Sequence, residues 1–219
     1  MIKADLHIHT TYSGDSEIKP EQLIPRVQEA GLNCIAVVDH NTAEGSLKIA
    51  AMSPPFKVIT GEEILTPEGE IIGFFLKETI PRGLSPEEAI RLIHAQGGLA
   101  CIPHPFDRFR SSAMQQKTLE RIAPLIDIIE VANARTLPFQ DLSQPERFAA
   151  KYAKPAGAGS DSHTLAEVGR TYVGLADFNG PVEFLQALIK GDIHRYKISA
   201  VAQAKLLTGR LARKMVGRH

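Results

Sequence analysis

The sequence of 219 residues has no tryptophan, few other aromatic residues and only two cysteines. Cys34 and Cys101 each lie in an apolar run, so we expect buried thiols of a cytoplasmic protein and exclude a disulfide framework. Basic and acidic residues number 25 each, and this balance leaves no overall positive charge to hold long nucleic acid or an anionic membrane. Neither a signal peptide nor an apolar run of membrane-spanning length is found.

Short apolar runs alternate with amphipathic segments, which is the pattern of repeated βα units. No composition typical of a linker interrupts them, so we predict a single domain over residues 1–219, with a basic, amphipathic tail at 196–219 that forms a final helix or frays. The predicted strands are 2–8, 34–39, 57–63, 71–76, 99–103, 127–132 and 155–159. The predicted helices are 20–30, 42–51, 86–96, 115–123, 144–153 and 181–190.

The third and fourth predicted strands are too close together for a helix between them. They are therefore expected to form a hairpin around residues 66–69 that pairs Leu65 with Glu70. Because side chains alternate along a strand, this register places Glu70 on the same rim as Glu63. A slip of one residue would reverse that face.

Seven possible metal ligands stand at the downstream ends of predicted strands. Parallel strands of an α/β barrel bring these ends to one rim, so ligands far apart in sequence would meet there. Imidazole and carboxylate groups suit zinc, manganese or iron, and carboxylates can bridge two ions. One histidine pair would be weak evidence, but the repeated placement predicts a multinuclear metallohydrolase. The seven are His7, His9, His40, Glu63, His104, Asp161 and His163.

In order and spacing, these motifs resemble those of the polymerase and histidinol phosphatase (PHP) family of metal-dependent phosphoesterases, over residues 1 to 195. The resemblance implies an α/β fold, a distorted seven-stranded (β/α) barrel of TIM-like type, in agreement with the seven predicted strands. It also implies a ligand set for three metal sites. The first would use His7, His9, Glu63 and Asp161, the second Glu63 and His104, and the third Asp15, His40 and His163.

Some of these assignments stay open at the sequence level. Many family members have a histidine where this chain has Glu70, which can act as a substitute ligand or as a solvated hairpin residue, so two or three ions are expected. Asp15 can likewise be a turn residue after Gly14. Asp5 and Asp39 are expected to orient imidazoles or to bind neighbouring backbone, or to cap strand ends.

Candidate groups for binding phosphate follow the same strands. Arg108 and Arg110 lie just after His104, Asn133 and Arg135 follow the sixth strand, and Arg170 follows His163. A guanidinium group binds phosphate through two hydrogen bonds, although arginines are also common in solvated loops.

These observations predict an enzyme that hydrolyses the phosphomonoester of a small phosphorylated metabolite or nucleotide. The attacking group would be a metal-bridging hydroxide held by Glu63 and Asp161. Three alternatives remain: a nuclease directed to the 5′ end of short oligonucleotides, an amidohydrolase-type enzyme that cleaves C–N bonds, and a non-catalytic metal-binding accessory domain. We expect no membrane or long nucleic-acid partner, and the sequence does not determine the oligomeric state.

Overall fold

A computed structural model describes residues 1–137 and 139–196, in which nine strands form one sheet. The order across the sheet is β7-β6-β5-β4-β3-β2-β1-β8-β9. Neighbouring strands in the series β1 to β3 and β5 to β7 are parallel, whereas β4 is antiparallel to both of its neighbours. The strands are β1 Ile2–Ile8, β2 Cys34–His40, β3 Lys57–Thr66, β4 Gly69–Phe74, β5 Leu99–Ile102, β6 Ile128–Asn133, β7 Ala156–Gly159, β8 Tyr172–Leu175 and β9 Asp192–His194.

The sheet curves into a nearly closed barrel. Ile8, at the end of β1, forms a parallel bridge with Ser162, which follows β7. The N–H of His9 donates to the Ser162 carbonyl at 3.0 Å, and the N–H of Ser162 donates to the His7 carbonyl at 3.3 Å. These bonds bring the downstream ends of β1 and β7 together, so the predicted barrel class is confirmed.

All seven predicted strands are present, but β8 and β9 were not predicted. They have four and three residues, which is too short for a reliable alternation pattern, and β8 is held in place by antiparallel pairing with β1. The predicted hairpin is confirmed, including the pairing of Leu65 with Glu70. Its loop is tighter than expected, because Thr66 also pairs with Gly69.

All six predicted helices are confirmed to within two residues at each end. Ser85 caps the third helix by accepting a hydrogen bond from the Glu88 N–H at 3.3 Å, and Pro86 occupies its first turn. The predicted tail at 196–219 lies outside the described residues except for Tyr196. No helix within the described part of the chain is long and apolar enough to cross a membrane. The helices are α1 Pro20–Glu29, α2 Glu44–Ala51, α3 Pro86–Ala95, α4 Gln116–Ile122, α5 Gln144–Lys151 and α6 Gly180–Ile189, with a 3₁₀ turn at Leu165–Glu167.

The apolar core is divided by the sheet. Leu6, Val38 and Ile72 belong to a cluster of barrel-strand residues into which Phe184 of α6 packs. Two other clusters lie between the strands and the surrounding helices. A register shift between Asp5 and Ile8 changes the alternation in β1, so that Leu6 faces the first cluster while Ile8 packs in a helix-side cluster. This shift allows both His7 and His9 to face the barrel rim.

Candidate metal centre

The downstream rim brings together all nine side chains predicted as metal ligands. Seven of them are buried, whereas the side chains of His40 and Asp15 are 28% and 50% exposed. Four triads drawn from this set have ligand atoms that lie within 4.8 Å of one another and can hold a metal ion. The triads are His7, His9 and Glu63; His7, His104 and Asp161; His40, Glu63 and Glu70; and His9, His40 and His163.

His7 and His9 present their Nε2 atoms to each other at 3.0 Å. The Nδ1 atom of His7 lies 2.9 Å from a Glu130 carboxylate oxygen, and that of His9 lies 3.1 Å from the Ser13 hydroxyl. Donation of the Nδ1 protons to these oxygens leaves both Nε2 lone pairs directed into the cluster. Two buried lone pairs this close require a cation or a shared proton between them, so the pair fits a metal ion.

Glu63 occupies the middle of the cluster. Its Oε1 atom lies 3.0 Å from His104 Nε2, and its Oε2 atom lies 3.1 Å from His40 Nδ1 and 3.5 Å from His9 Nε2. The two oxygens therefore face different imidazoles, which is the arrangement expected of a carboxylate that bridges two ions. Glu70 lies on the same side, with its oxygens 3.6 Å from His104 Nε2 and 3.9 Å from His40 Nδ1.

Asp161 shows two signs of a binding role. Its Oδ1 atom is buried and accepts no hydrogen bond from the residues that the structure describes, yet it lies 3.5 Å from His9 Nε2. An unpaired buried carboxylate oxygen is costly unless a cation approaches it. The backbone is also unusual at two strand ends, because φ is +52° at Asp161 and +30° at His104. Such conformations cost roughly 1–3 kcal/mol and concentrate at functional sites.

The outer part of the cluster contains Asp15, His40 and His163. An Asp15 oxygen lies 3.1 Å from His163 Nε2 and 3.5 Å from His40 Nε2. Arg135 Nη1 lies 2.5 Å from His163 Nδ1. The same Nδ1 atom lies 3.0 Å from the Asp161 backbone oxygen, which can only accept, so Nδ1 stands between a donor and an acceptor. An ion bound between Asp15 and His163 would use the Nε2 lone pair, with the imidazole proton on Nδ1 facing the Asp161 carbonyl.

Burial and charge act against each other in the centre. Burial disfavours a charge on His7, but the carboxylates of Glu130, Asp161 and Glu63 outweigh burial and raise the pKa of His7 well above its usual value. Burial and the neighbouring His7 lower the pKa of His9. The surrounding cationic groups hold the carboxyl pKa values of Glu63 and Asp161 well below the ordinary range despite burial. These directions favour a positive charge on His7 over His9 and favour the ionised forms of Glu63 and Asp161.

Sequence inspection did not identify Glu130. This buried glutamate accepts hydrogen bonds from His7 Nδ1, from the His104 N–H at 2.6 Å and from Asn133 Nδ2 at 3.0 Å. It orients one predicted ligand and fixes the backbone of another. A signal was present, because Glu130 interrupts the otherwise apolar strand IIEVA.

Asp5 and Asp39 hold the loops that carry predicted ligands. Asp5 accepts hydrogen bonds from the N–H groups of His7, Ser160 and Gly169, so it binds neighbouring backbone as one of the expectations had it. Asp39 accepts from the Thr10 N–H and side chain and from the Ser13 hydroxyl, rather than from His40. The Ser13 hydroxyl also contacts His9 Nδ1, so Asp39 helps to orient the His9 imidazole through Ser13.

Three of the five predicted phosphate-binding residues reach the cluster. Arg110 forms an ion pair with Asp161, Asn133 Nδ2 donates to Asp161 Oδ2 at 3.2 Å, and Arg135 contacts Asp161 and His163. Arg108 is exposed, and Arg170 lies over the ring of Tyr196, 5.2 Å from its centroid. Neither of the last two makes a hydrogen bond or ion pair with the cluster in the described part of the chain.

A cavity of about 370 Å³ opens beside the cluster. His104, Glu130 and Asn133 lie on its wall, and Phe106 and Leu142 contribute apolar surface. The cavity therefore connects predicted ligands with space for an organic group.

Two family models match successive parts of the chain. The PHP domain model matches residues 5–129, and the PHP-associated model, PHP_C, matches residues 141–193. An uncharacterized protein of Methanocaldococcus jannaschii is 35% identical over 202 residues, covering 87% of this chain and 81% of its own length. A 5′-3′ exoribonuclease of Haemophilus influenzae is 33% identical over 146 residues, covering 60% of this chain and 53% of the relative.

Solved structures share the fold at low identity. A two-domain protein of Bacteroides vulgatus that contains a predicted PHP-like metal-dependent phosphoesterase has a TM-score of 0.71 at 18% identity, covering 95% of this chain and 69% of the other. An amidohydrolase of Chromobacterium violaceum with bound sulfate has a TM-score of 0.63 at 18% identity, covering 76% of this chain and 89% of the other. With more than half of the residues matched by the first family model, the chain belongs to the PHP domain family.

Proposed function

We propose that the protein hydrolyses the phosphomonoester of a small phosphorylated metabolite or nucleotide with the help of bound divalent metal ions. One observation carries this proposal: Asp161 lies between imidazoles that suit a metal and the guanidinium groups of Arg110 and Arg135, which suit phosphate. An amide substrate would need no such anion-binding groups beside the ligands. This contrast favours phosphoester over C–N bond cleavage.

Two or three ions of zinc, manganese or iron are expected. Bound ions would lower the pKa of a water and neutralise charge on the phosphate oxygens. The third site is the most open to solvent, because Asp15 and His40 are the two partly exposed members of the set. The proposed sets are His7, His9, Glu63 and Asp161; Glu63, Glu70 and His104; and Asp15, His40 and His163.

The remaining residues would bind and orient the substrate. A phosphate beside Asp161 would accept hydrogen bonds from Arg110 and Arg135, and Asn133 would add a neutral donor. Glu130 would keep the Nδ1 proton of His7 in place. The cavity beside Asn133 would take the organic part, and its volume is in the lower part of the range of small-molecule sites, which favours a small substrate.

The first experiment measures turnover of p-nitrophenyl phosphate, a nucleoside monophosphate and an amide panel with added Mn²⁺ or Zn²⁺. We expect phosphate release that a chelator abolishes, and an Arg135→Ala variant with a higher KM or lower kcat on the anionic substrates alone. Turnover of amides without any phosphoester would support the C–N hydrolase instead. Bound metal without any turnover would support the accessory domain.

The second experiment measures metal content by elemental analysis after expression in supplemented medium. We expect two to three ions per chain, a loss of more than one ion in Glu63→Gln because this carboxylate faces several imidazoles, and a smaller loss in Glu70→Gln. His94→Ala is the matched control. His94 is not part of the cluster, and its Nε2 atom lies 2.8 Å from a carboxylate oxygen of Asp127. One ion or fewer in the unmodified protein would contradict the multinuclear site.

A nuclease directed to the 5′ end of short oligonucleotides is the second candidate. The relative named as a 5′-3′ exoribonuclease favours it. Labelled 5′-phosphorylated oligonucleotides distinguish the two, because a nuclease shortens the strand whereas a phosphatase removes only the terminal phosphate.

A further inference from the structure

Two phenyl rings are exposed at the rim of the barrel. The side chains of Phe109 and Phe139 are 54% and 59% exposed, although large apolar residues are usually buried. Their ring centroids are 5.2 Å apart and the ring planes are at 89°, an edge-to-face pair. Phe109 follows β5 and Phe139 follows β6, so each ring is on a loop at the downstream rim.

Buried Asp107 holds the two loops together. One of its oxygens accepts hydrogen bonds from the Phe109 N–H at 3.0 Å and from Gln140 Nε2 at 2.9 Å. Gln140, the neighbour of Phe139, accepts the Arg108 N–H through its own side-chain oxygen at 3.0 Å. Both rings therefore belong to segments that are fixed to each other by side-chain hydrogen bonds, and their exposure is built into the structure of the loops.

The same aspartate connects the rings to the candidate centre. Arg110 donates from Nε to Asp107 at 3.2 Å and pairs through its other end with Asp161. Arg110 is thus adjacent in sequence to Phe109 and in contact with a proposed ligand. A group bound on the rings would lie next to the guanidinium that we assign to phosphate.

We propose that Phe109 and Phe139 stack a nucleobase of the substrate, so that the substrate class is a nucleotide or a short oligonucleotide end. This inference rests on the proposed phosphoesterase function and adds a binding site to it. A planar base suits exposed aromatic faces because stacking is largely independent of base identity. The cationic Arg108 and Arg110 on either side of Phe109 suit the phosphates that accompany a base.

The experiment compares a nucleoside 5′-monophosphate with ribose 5-phosphate in Phe109→Leu, Phe139→Leu and the double variant. Leucine keeps apolar surface but removes the aromatic face. We expect kcat/KM for the nucleotide to fall about 5- to 100-fold in the double variant, mainly through KM, while that for ribose 5-phosphate stays unchanged. Phe109→Tyr, which keeps an aromatic ring at this position, should bind the nucleotide as well as the unmodified protein does. Val182→Ala is the control, because this side chain on α6 is 70% exposed. It should leave kcat/KM unchanged for both substrates.

Calorimetric titration with the nucleotide and analytical ultracentrifugation complete the test. If neither substrate is turned over by the unmodified protein, the proposed function fails. Base stacking is then judged by binding alone: weaker binding in the double variant supports it, and equal binding or no binding to the unmodified protein overturns it. An equal loss with both substrates, or a change confined to the oligomeric state, would also overturn it and would point to a structural role or to contact with a second copy of the chain.

Discussion

At the scale of single residues, Glu130 is the clearest case of a side chain whose role depends on its contacts. Its two oxygens accept three hydrogen bonds, from His7, His104 and Asn133. A carboxylate can satisfy all three because it only accepts hydrogen bonds. Groups that hold a metal-binding imidazole in this way also set its tautomer and increase its basicity.

Replacement of Glu130 by glutamine should therefore lower metal affinity about 10- to 100-fold. The glutamine oxygen can still accept from His7, but its amide nitrogen would face another donor. Competition with a chromophoric chelator measures the affinity, and circular dichroism checks that the variant is folded. Glu88→Gln, on an exposed helical surface, is the control. Unchanged affinity in Glu130→Gln would show that the glutamate serves packing alone.

At the scale of secondary-structure elements, β7 approaches β1 so closely that its glycines matter. A Cβ atom on Gly159 would lie 2.3 Å from the Cβ of His7 and 2.7 Å from its backbone nitrogen. A Cβ atom on Gly157, two residues earlier in the same strand, would approach nothing closer than a methyl group of Ile128 at 3.1 Å. Only the first substitution would require the backbone of a predicted ligand to move.

Gly159→Ala should therefore destabilise the fold and disturb the site more than Gly157→Ala. Overpacking of this kind costs about 1–3 kcal/mol, which corresponds to a fall in Tm of roughly 2–12 °C for a chain of this size. Thermal unfolding and metal content measure the two effects. Equal Tm values and equal metal contents for the two variants would mean that β7 can move away from β1 without loss of stability. Close packing would then not be what positions His7.

At the scale of the whole molecule, the balance of charge limits the substrate. Proteins that hold a long nucleic-acid backbone usually have a strong excess of positive charge along the binding surface. Here the formal net charge is zero, and the arginines at the rim are largely engaged with Asp107, Asp161 and His163. The aromatic pair at Phe109 and Phe139 provides stacking for one or two bases only.

For 5′-phosphorylated oligonucleotides of increasing length we therefore expect kcat/KM to level off after the first one or two nucleotides. Each phosphate contact on a single strand adds about −0.7 to the slope of log affinity against log salt, so a shallow slope is expected as well. Steady-state kinetics at low and moderate salt test both. A kcat/KM that rises steadily with oligonucleotide length and falls steeply as salt is added would indicate a nuclease with an extended binding surface for the strand.

Much of the fold could be predicted because its signals are local. Alternating apolar segments indicated seven strands and six helices, and the short spacing between β3 and β4 set the hairpin register that places Glu70 beside Glu63. The positions of His7, His40, His104 and Asp161 at strand ends were enough to predict that they meet. The sequence did not indicate β8 and β9, because strands this short are defined by their pairing partners.

The sequence by itself determined which residue types reach the rim, because most of the predicted ligands follow strands that are parallel to one another, and the downstream ends of such strands lie on one side of the barrel. Only the tertiary structure decided how they face one another. The bulge in β1 sets the direction of His7 and His9, and the closure of β1 against Ser162 brings Asp161 to them. It also placed Glu130 behind His7 and Phe139 beside Phe109. These contacts join segments far apart in the chain, and no local propensity or spacing encodes them.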